Sequence, residues 1–176
     1  VWSGYEVVLD RMSAACETWV RQFKEINIYS DFYPEGTKEI LQEKANPTKL
    51  VFIELGDCSQ RWFANPWTRA QPRFLKAMEH MYRANTSKKW YFFCDDDSFP
   101  IMRNLMKEIS EFNYLDSKVL GHFYCAWPEV VYGRNHNDQC LNFAQGGAGV
   151  AITRKYFSRI VDNLTACNNK YTAALY

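Results

Sequence analysis

Trp90-Tyr91-Phe92-Phe93-Cys94-Asp95-Asp96-Asp97 sets five apolar residues in succession against three carboxylates. Five consecutive apolar positions leave no polar face, so the run predicts a short strand covered on both sides. The aspartates end it, because adjacent like charges cannot follow it into a core. Upstream, Leu50–Leu55 (Leu-Val-Phe-Ile-Glu-Leu) repeats the pattern, and Asn27–Ser30 makes a shorter strand ending at Asp31. Val1-Trp2-Ser3 reads as the last residues of another strand. Between these runs apolar residues recur at helical spacing: Met12, Cys16, Trp19 and Phe23 within 10–24, and Phe74, Met78, Met81 and Tyr82 within 71–85. Thr37 is placed to cap a helix reaching Lys44. Downstream, a helix is expected over 101–112 with Leu105, Ile109 and Phe112 inward. Strands follow at 119–126, 139–143 and 150–152, then a helix from Arg154 to about Ala166. Alternating strands and helices predict an α/β fold with a mostly parallel sheet and helices on both faces.

The chain has 176 residues, 21 Lys plus Arg against 20 Asp plus Glu, and 47% hydrophobic residues. That balance excludes a disordered chain and argues against nucleic-acid binding through bulk positive charge. The length suits one domain, and no apolar run approaches a membrane span. The chain begins without Met and shows no signal peptide, so we expect a single domain over 1–176, truncated at both ends. Six cysteines and the glycosylation patterns Asn85-Thr86-Ser87 and Asn163-Leu164-Thr165 are compatible with an oxidising compartment. Cys125 and Cys140 flank a polar stretch with no obvious core residues, and we expect them to form a disulfide. Cys94 should stay a buried thiol, and Cys167 is expected to pair beyond Tyr176. The aromatic fraction, 16%, suggests a well-filled core plus some spare aromatic surface for a ligand, with Trp62, Trp67 and Trp127 as loop candidates or core residues.

In an open parallel sheet, ligands bind outside the carboxyl ends of the strands. Ser3-Gly4, Asp31 and Asp95-Asp96-Asp97 all fall at such ends. Three adjacent carboxylates after a buried strand call for a positive partner, and a hard divalent cation takes oxygen ligands best. Gly146-Gly147-Ala148-Gly149 is the second feature. Its glycines allow close backbone approach to a ligand, yet it is neither a dinucleotide fingerprint nor a Walker loop.

Taken together, these stretches resemble the Fringe-type members of glycosyltransferase family 31. The carrying residues are Glu17-Thr18-Trp19, Ser30-Asp31, Lys89-Trp90 with Asp95-Asp96-Asp97, and Phe143-Ala144-x-Gly146-Gly147-Ala148-Gly149 followed by Ile152-Thr153-Arg154. They cover about residues 1–165. The resemblance implies a GT-A type, Rossmann-like nucleotide-sugar-binding fold and an inverting β-1,3-glycosyltransferase. It also implies a UDP-sugar donor, a glycan or glycoprotein acceptor, and Mn²⁺ or Mg²⁺. The expected location is the Golgi or ER lumen or the secreted space, with membrane attachment only through an N-terminal anchor absent from this sequence. Asp97 would bind the metal. Ser3, Gly4, Arg11, Asp31, Asp95, Asp96, Gly146 and Gly147 would bind the donor. The family's catalytic acidic residue lies downstream of the last helix, so the base is expected beyond Tyr176 and residues 1–176 alone are expected to transfer no sugar. Glu129 and Asp138 are the candidates inside the chain. His80, His122 and His136 lack motif support as ligands.

Two rival readings remain. A haloacid-dehalogenase-type phosphatase shares Asp95-x-Asp97, but needs Thr or Val where Phe99 stands and carries its motif on the first strand. A non-catalytic carbohydrate-binding or chaperone-like relative would keep the fold without needing all three aspartates.

Overall fold

The computed structural model describes residues 1–56, 66–126 and 141–173. It is a mixed α/β fold. Strands β1 (Glu25–Ser30) and β2 (Lys49–Glu54) pair in parallel, with Ile28 opposite Phe52. Strands β3 (Trp90–Phe93), β7 (Val150–Thr153) and β4 (Val119–Gly121) form a second sheet in that order. The N-terminal residues join the two. Trp2 makes parallel bridges to Tyr29 and to Asp95, and the Ser3 amide donates to the Tyr29 carbonyl at 2.8 Å. The run Val1–Ser3 therefore lies between β1 and β3, which makes the order β2, β1, Val1–Ser3, β3, β7, β4.

The expectation of a mostly parallel sheet holds only for the first half. β7 runs antiparallel to both β3 and β4. The physical reason is the connection. A parallel neighbour needs a crossover, usually a helix, whereas the described residues on either side of β4 and β7 pair with each other antiparallel. The chain instead continues through His122 into β5 (Phe123–Ala126), and β6 (Leu141–Ala144) returns antiparallel to it. β4–β5 and β6–β7 are thus the outgoing and returning arms of one bent hairpin. The strand expected over 119–126 is split at His122 for this reason.

Helices α1 (Val8–Glu17) and α2 (Thr37–Ala45) cover one face of β1 and β2. Val8, Met12, Cys16, Leu41 and Ala45 pack there with Ile26, Ile28 and Leu50. The helix expected to reach residue 24 stops earlier. The Thr18 hydroxyl donates to the Ala14 carbonyl at 2.7 Å, and a 3₁₀ turn over Trp19–Gln22 follows. Gly36, at φ 76°, precedes α2, so Thr37 is its first helical residue and makes no capping hydrogen bond. On the other face, α3 (Pro66–Ala84) and α5 (Arg154–Ala173) pack together over Tyr91, Phe93, Val150 and Ile152. α3 begins five residues earlier than expected, with Pro66 at the first helical position, where its missing N–H costs nothing. Phe157 is fully buried between Tyr82 and Tyr91, with ring centroids 5.2 and 5.0 Å away. Burying one such ring contributes roughly 1.5–3 kcal/mol.

α4 (Met102–Ser110) departs most from expectation, because none of its residues is buried. Leu105 and Ile109 are half-buried and Phe112 is exposed. The helix stands off the sheet instead of closing on it, and a cleft of about 430 Å³ lies between them.

Cys16 and Cys94 are buried free thiols, and burial pushes both up to about 11. Cys94 thus behaves as expected. Cys167 is an exposed free thiol on α5. The expected Cys125–Cys140 bridge falls outside the described residues. Among the described residues no helix is long and apolar enough to cross a membrane.

Candidate functional site

The register of the bent hairpin builds the site. Gly121 pairs with Val150 and Phe123 pairs with Ala144. Between these pairs the outgoing arm has His122 alone, while the returning arm has residues 145–149. The Gln145 amide closes the base of this outgrowth on the His122 carbonyl at 2.8 Å. The surplus residues form a 3₁₀ turn at Gly146–Ala148 that projects toward Asp95. A Cβ on Gly147 would stand 3.4 Å from Asp95 Oδ2, and one on Gly146 would stand 3.7 Å from the Trp2 indole and 3.9 Å from Asp95 Oδ1. The Ser98 hydroxyl donates to the Gly147 carbonyl and ties the loop to the residue after the aspartates.

The three aspartates, read as one cluster from the sequence, are held in three different ways. Asp95 accepts a hydrogen bond from Trp2 Nε1. Asp96 is buried and accepts from the Ser3 hydroxyl through Oδ2 and from Arg11 Nη1 through Oδ1 at 3.0 Å. Asp97 is exposed, with 58% of its side chain open, and touches Arg11 Nη1 through Oδ2 at 3.2 Å. Arg11 thus bridges two of the carboxylates, and its hydrogen bond to Asp96 pushes the guanidinium still further up.

Burial pushes the Asp95 carboxyl above the ordinary carboxylate range. The Trp2 N–H pulls it partly back, and the charges of Asp97 and Asp96 add to the rise. A raised acid favours the protonated folded state, so ionisation of Asp95 destabilises the fold as pH climbs through its raised pKa. Asp95→Asn keeps an acceptor for Trp2 and removes the charge. It should raise the unfolding free energy at pH 7, read from urea titration, by on the order of 1 kcal/mol or less, given the partial exposure. The gain should shrink at pH 4. A variant less stable than the parent at pH 7 would show that the ionised carboxylate supports the fold.

A second set lies beside the first, at the carboxyl end of β1. Asp31 is fully buried and accepts from Arg73 of α3, through Nε at 3.1 Å and through Nη2. The Arg73 guanidinium lies against Gly4, where a Cβ would stand 3.7 Å away. All nine residues singled out as metal or donor ligands are therefore gathered at one edge, in two sets joined through Ser3-Gly4. Asp31 is fully buried, and both of its carboxylate oxygens accept from Arg73.

Sequence reasoning missed Arg73, Trp2 and Ser98. The available signal for Arg73 was the need of a buried Asp31 for a bidentate cation. The Trp candidates resolve differently. Trp67 stands in the first turn of α3 and not in a loop, while Trp62 and Trp127 lie outside the described residues. His80 shares a hydrogen bond with the Tyr29 hydroxyl at 3.3 Å, and His122 stacks on Tyr124. His136, Glu129 and Asp138 lie outside the described residues.

No three or more His, Cys, Asp or Glu side chains converge as a metal cage among the described residues. Of the three aspartates, Asp97 is the exposed one, and its contact to Arg11 is made through Oδ2 alone.

A family model described as Fringe-like matches residues 7–174. The chain belongs to this Fringe-like family. One curated relative is the β-1,3-N-acetylglucosaminyltransferase lunatic fringe of Xenopus laevis, 26% identical over 148 residues. The match covers 82% of this chain and 36% of that protein, so the chain spans about a third of the relative's length. The Fringe-like match includes both arms of the bent hairpin and the acidic turn they face.

Proposed function

We propose that this edge is the donor site of an inverting, metal-dependent glycosyltransferase. It would move a sugar from a UDP-sugar to a hydroxyl of a glycan or glycoprotein, with β-1,3 linkage. The observation that carries this reading is the acidic turn at the end of β3, faced by a glycine loop and braced by Ser3 and Arg11. The name of the Xenopus relative agrees with it. The reading extends to a lumenal or secreted location.

The geometry supports the following roles. Asp97 would hold Mn²⁺ or Mg²⁺, which would supply neutralisation of charge on the diphosphate leaving group. Arg11 directs both of its carboxylate contacts through Nη1, so its other N–H groups can reach a phosphate oxygen. Ser3 fixes Asp96, and Asp96 fixes Arg11. Gly146 and Gly147 admit the donor close to the backbone, where any side chain would meet Trp2 or Asp95. In the transfer, the acceptor oxygen bonds to the anomeric carbon from the face opposite the leaving group. The bond from that carbon to the phosphate oxygen breaks, and the hydroxyl proton passes to a carboxylate base.

UDP titration by calorimetry tests this. Binding should be tight with Mn²⁺ and weaken at least tenfold with EDTA, a loss of about 1.4 kcal/mol. Asp97→Ala should bind UDP weakly in both conditions. Equal UDP affinity with and without the metal would overturn the metal role, and sugar binding with no need for UDP would mark a lectin.

A further inference from the structure

The two N-glycosylation patterns in the sequence fall on different kinds of backbone. Asn85-Thr86-Ser87 follows Ala84, the last residue of α3, in a turn that leads to β3. Thr86, Ser87, Lys88 and Lys89 are exposed, and Asn85 is half-buried. The turn is fixed through the Asn85 main chain. Its amide donates to the Tyr82 carbonyl at 3.1 Å, and its carbonyl accepts from the Lys88 amide at 3.2 Å and from the Tyr91 hydroxyl at 2.6 Å. Among the described residues, no hydrogen bond uses the Asn85 side-chain amide. Asn163-Leu164-Thr165 instead lies inside α5, where Leu164 is buried. Residues two apart on a helix do not face each other, whereas a turn can bring them together. The Asn85 turn stands at the amino end of β3 and the acidic turn at its carboxyl end, so about 13 Å of strand separates them.

We propose that Asn85 is the acceptor of an N-linked glycan, carried at the end of β3 away from the candidate donor edge. This rests on the lumenal or secreted location given above. An exposed turn is the surface setting that such a bulky, polar group requires. In the transfer, Asn85 Nδ2 bonds to the anomeric carbon of an oligosaccharide held on a lipid diphosphate. The bond from that carbon to the diphosphate oxygen breaks, and the diphosphate leaves with the electron pair. Nδ2 gives one of its two protons to a base of the transferring enzyme. Ser87 supplies the hydroxyl that the acceptor pattern demands two residues on.

The test expresses the 176-residue chain behind a cleavable secretory leader, which places it in the lumen whatever its native address. Peptide N-glycosidase should increase its mobility on a gel and deamidate Asn85, read by peptide mass spectrometry. Asn85→Gln and Ser87→Ala should each remove the glycan from this peptide, and Ser87→Thr should retain it. Circular dichroism should be unchanged in all three variants, so that loss of the glycan is not loss of the fold. An unmodified Asn85 in the secreted chain, or a glycan on Asn163 alone, would overturn the proposal. A glycan present on the leader-borne chain but missing from the protein isolated from its own cells would support Asn85 as an acceptor and strike the lumenal location instead.

Discussion

Arg73→Ala is expected to cost about 3–5 kcal/mol of folding free energy, because it leaves the fully buried Asp31 carboxylate with no counter-charge. Both partners lie out of water, with 11% of the Arg73 side chain and none of Asp31 exposed. Against a typical stability of about 5–15 kcal/mol, a loss of that size removes a large part of the margin. The mechanism separates loss of charge balance from loss of packing. A double variant, Asp31→Asn with Arg73→Met, removes both charges, keeps much of the volume and should recover most of the stability. Urea midpoints for the parent, the single and the double variant decide it. A single variant within about 1 kcal/mol of the parent would show that water reaches Asp31 and screens it. Gly4, packed on the same guanidinium, ties this pair to Ser3 and so to Asp96. Donor binding should therefore weaken in Arg73→Ala even where the chain still folds.

Gly149→Ala is the second large effect, at roughly 2–4 kcal/mol from two additive causes. Its φ of 84° lies in the region that side-chain-bearing residues avoid, and a Cβ there would stand 2.8 Å from two carbons of the Phe92 ring. Phe92 belongs to β3, two residues before Cys94 and the acidic turn. Relief of the clash must move the ring or the loop, and either displaces Gly146–Gly147 from Asp95. Thermal unfolding should show a drop of several degrees, at about 2–4 °C per kcal/mol for a chain of this size. UDP affinity should fall in parallel. Gly36→Ala is the control, since φ is 76° there but no atom lies within 4 Å of the added Cβ. It should show the backbone strain without the steric part. Equal losses at the two positions would mean that Phe92 yields freely and that the loop's place does not depend on it.

How far the sequence reached is visible in particular residues. The apolar run Trp90–Cys94 became β3, and Asn27–Ser30 and Leu50–Leu55 became β1 and β2, each within two residues at either end. Those strands are short and unbroken, and their signal is local. Helix ends were less legible. α3 begins at Pro66, in a stretch rich in Asn, Pro and Trp that reads as loop. The face assigned to α4 is turned toward the sheet, but it is not buried there. Leu105, Ile109 and Phe112 keep the correct spacing, but spacing does not say whether an apposed surface closes on them.

The sequence alone determined the types and order of the elements, the Fringe resemblance, and the placement of Ser3, Gly4, Asp31 and the aspartates at strand ends. Those are properties of neighbouring residues, set by side-chain periodicity and by the repulsion of adjacent charges. Only the tertiary structure decided the direction of β7, the outgrowth that brings Gly146 and Gly147 onto Asp95, the pairing of Arg73 with Asp31 across 42 residues, and the division of Asp95, Asp96 and Asp97 into three environments. Each of these depends on strand register or on which distant side chain fills a buried position. Both are selected by packing the whole chain at once, and no local pattern encodes them.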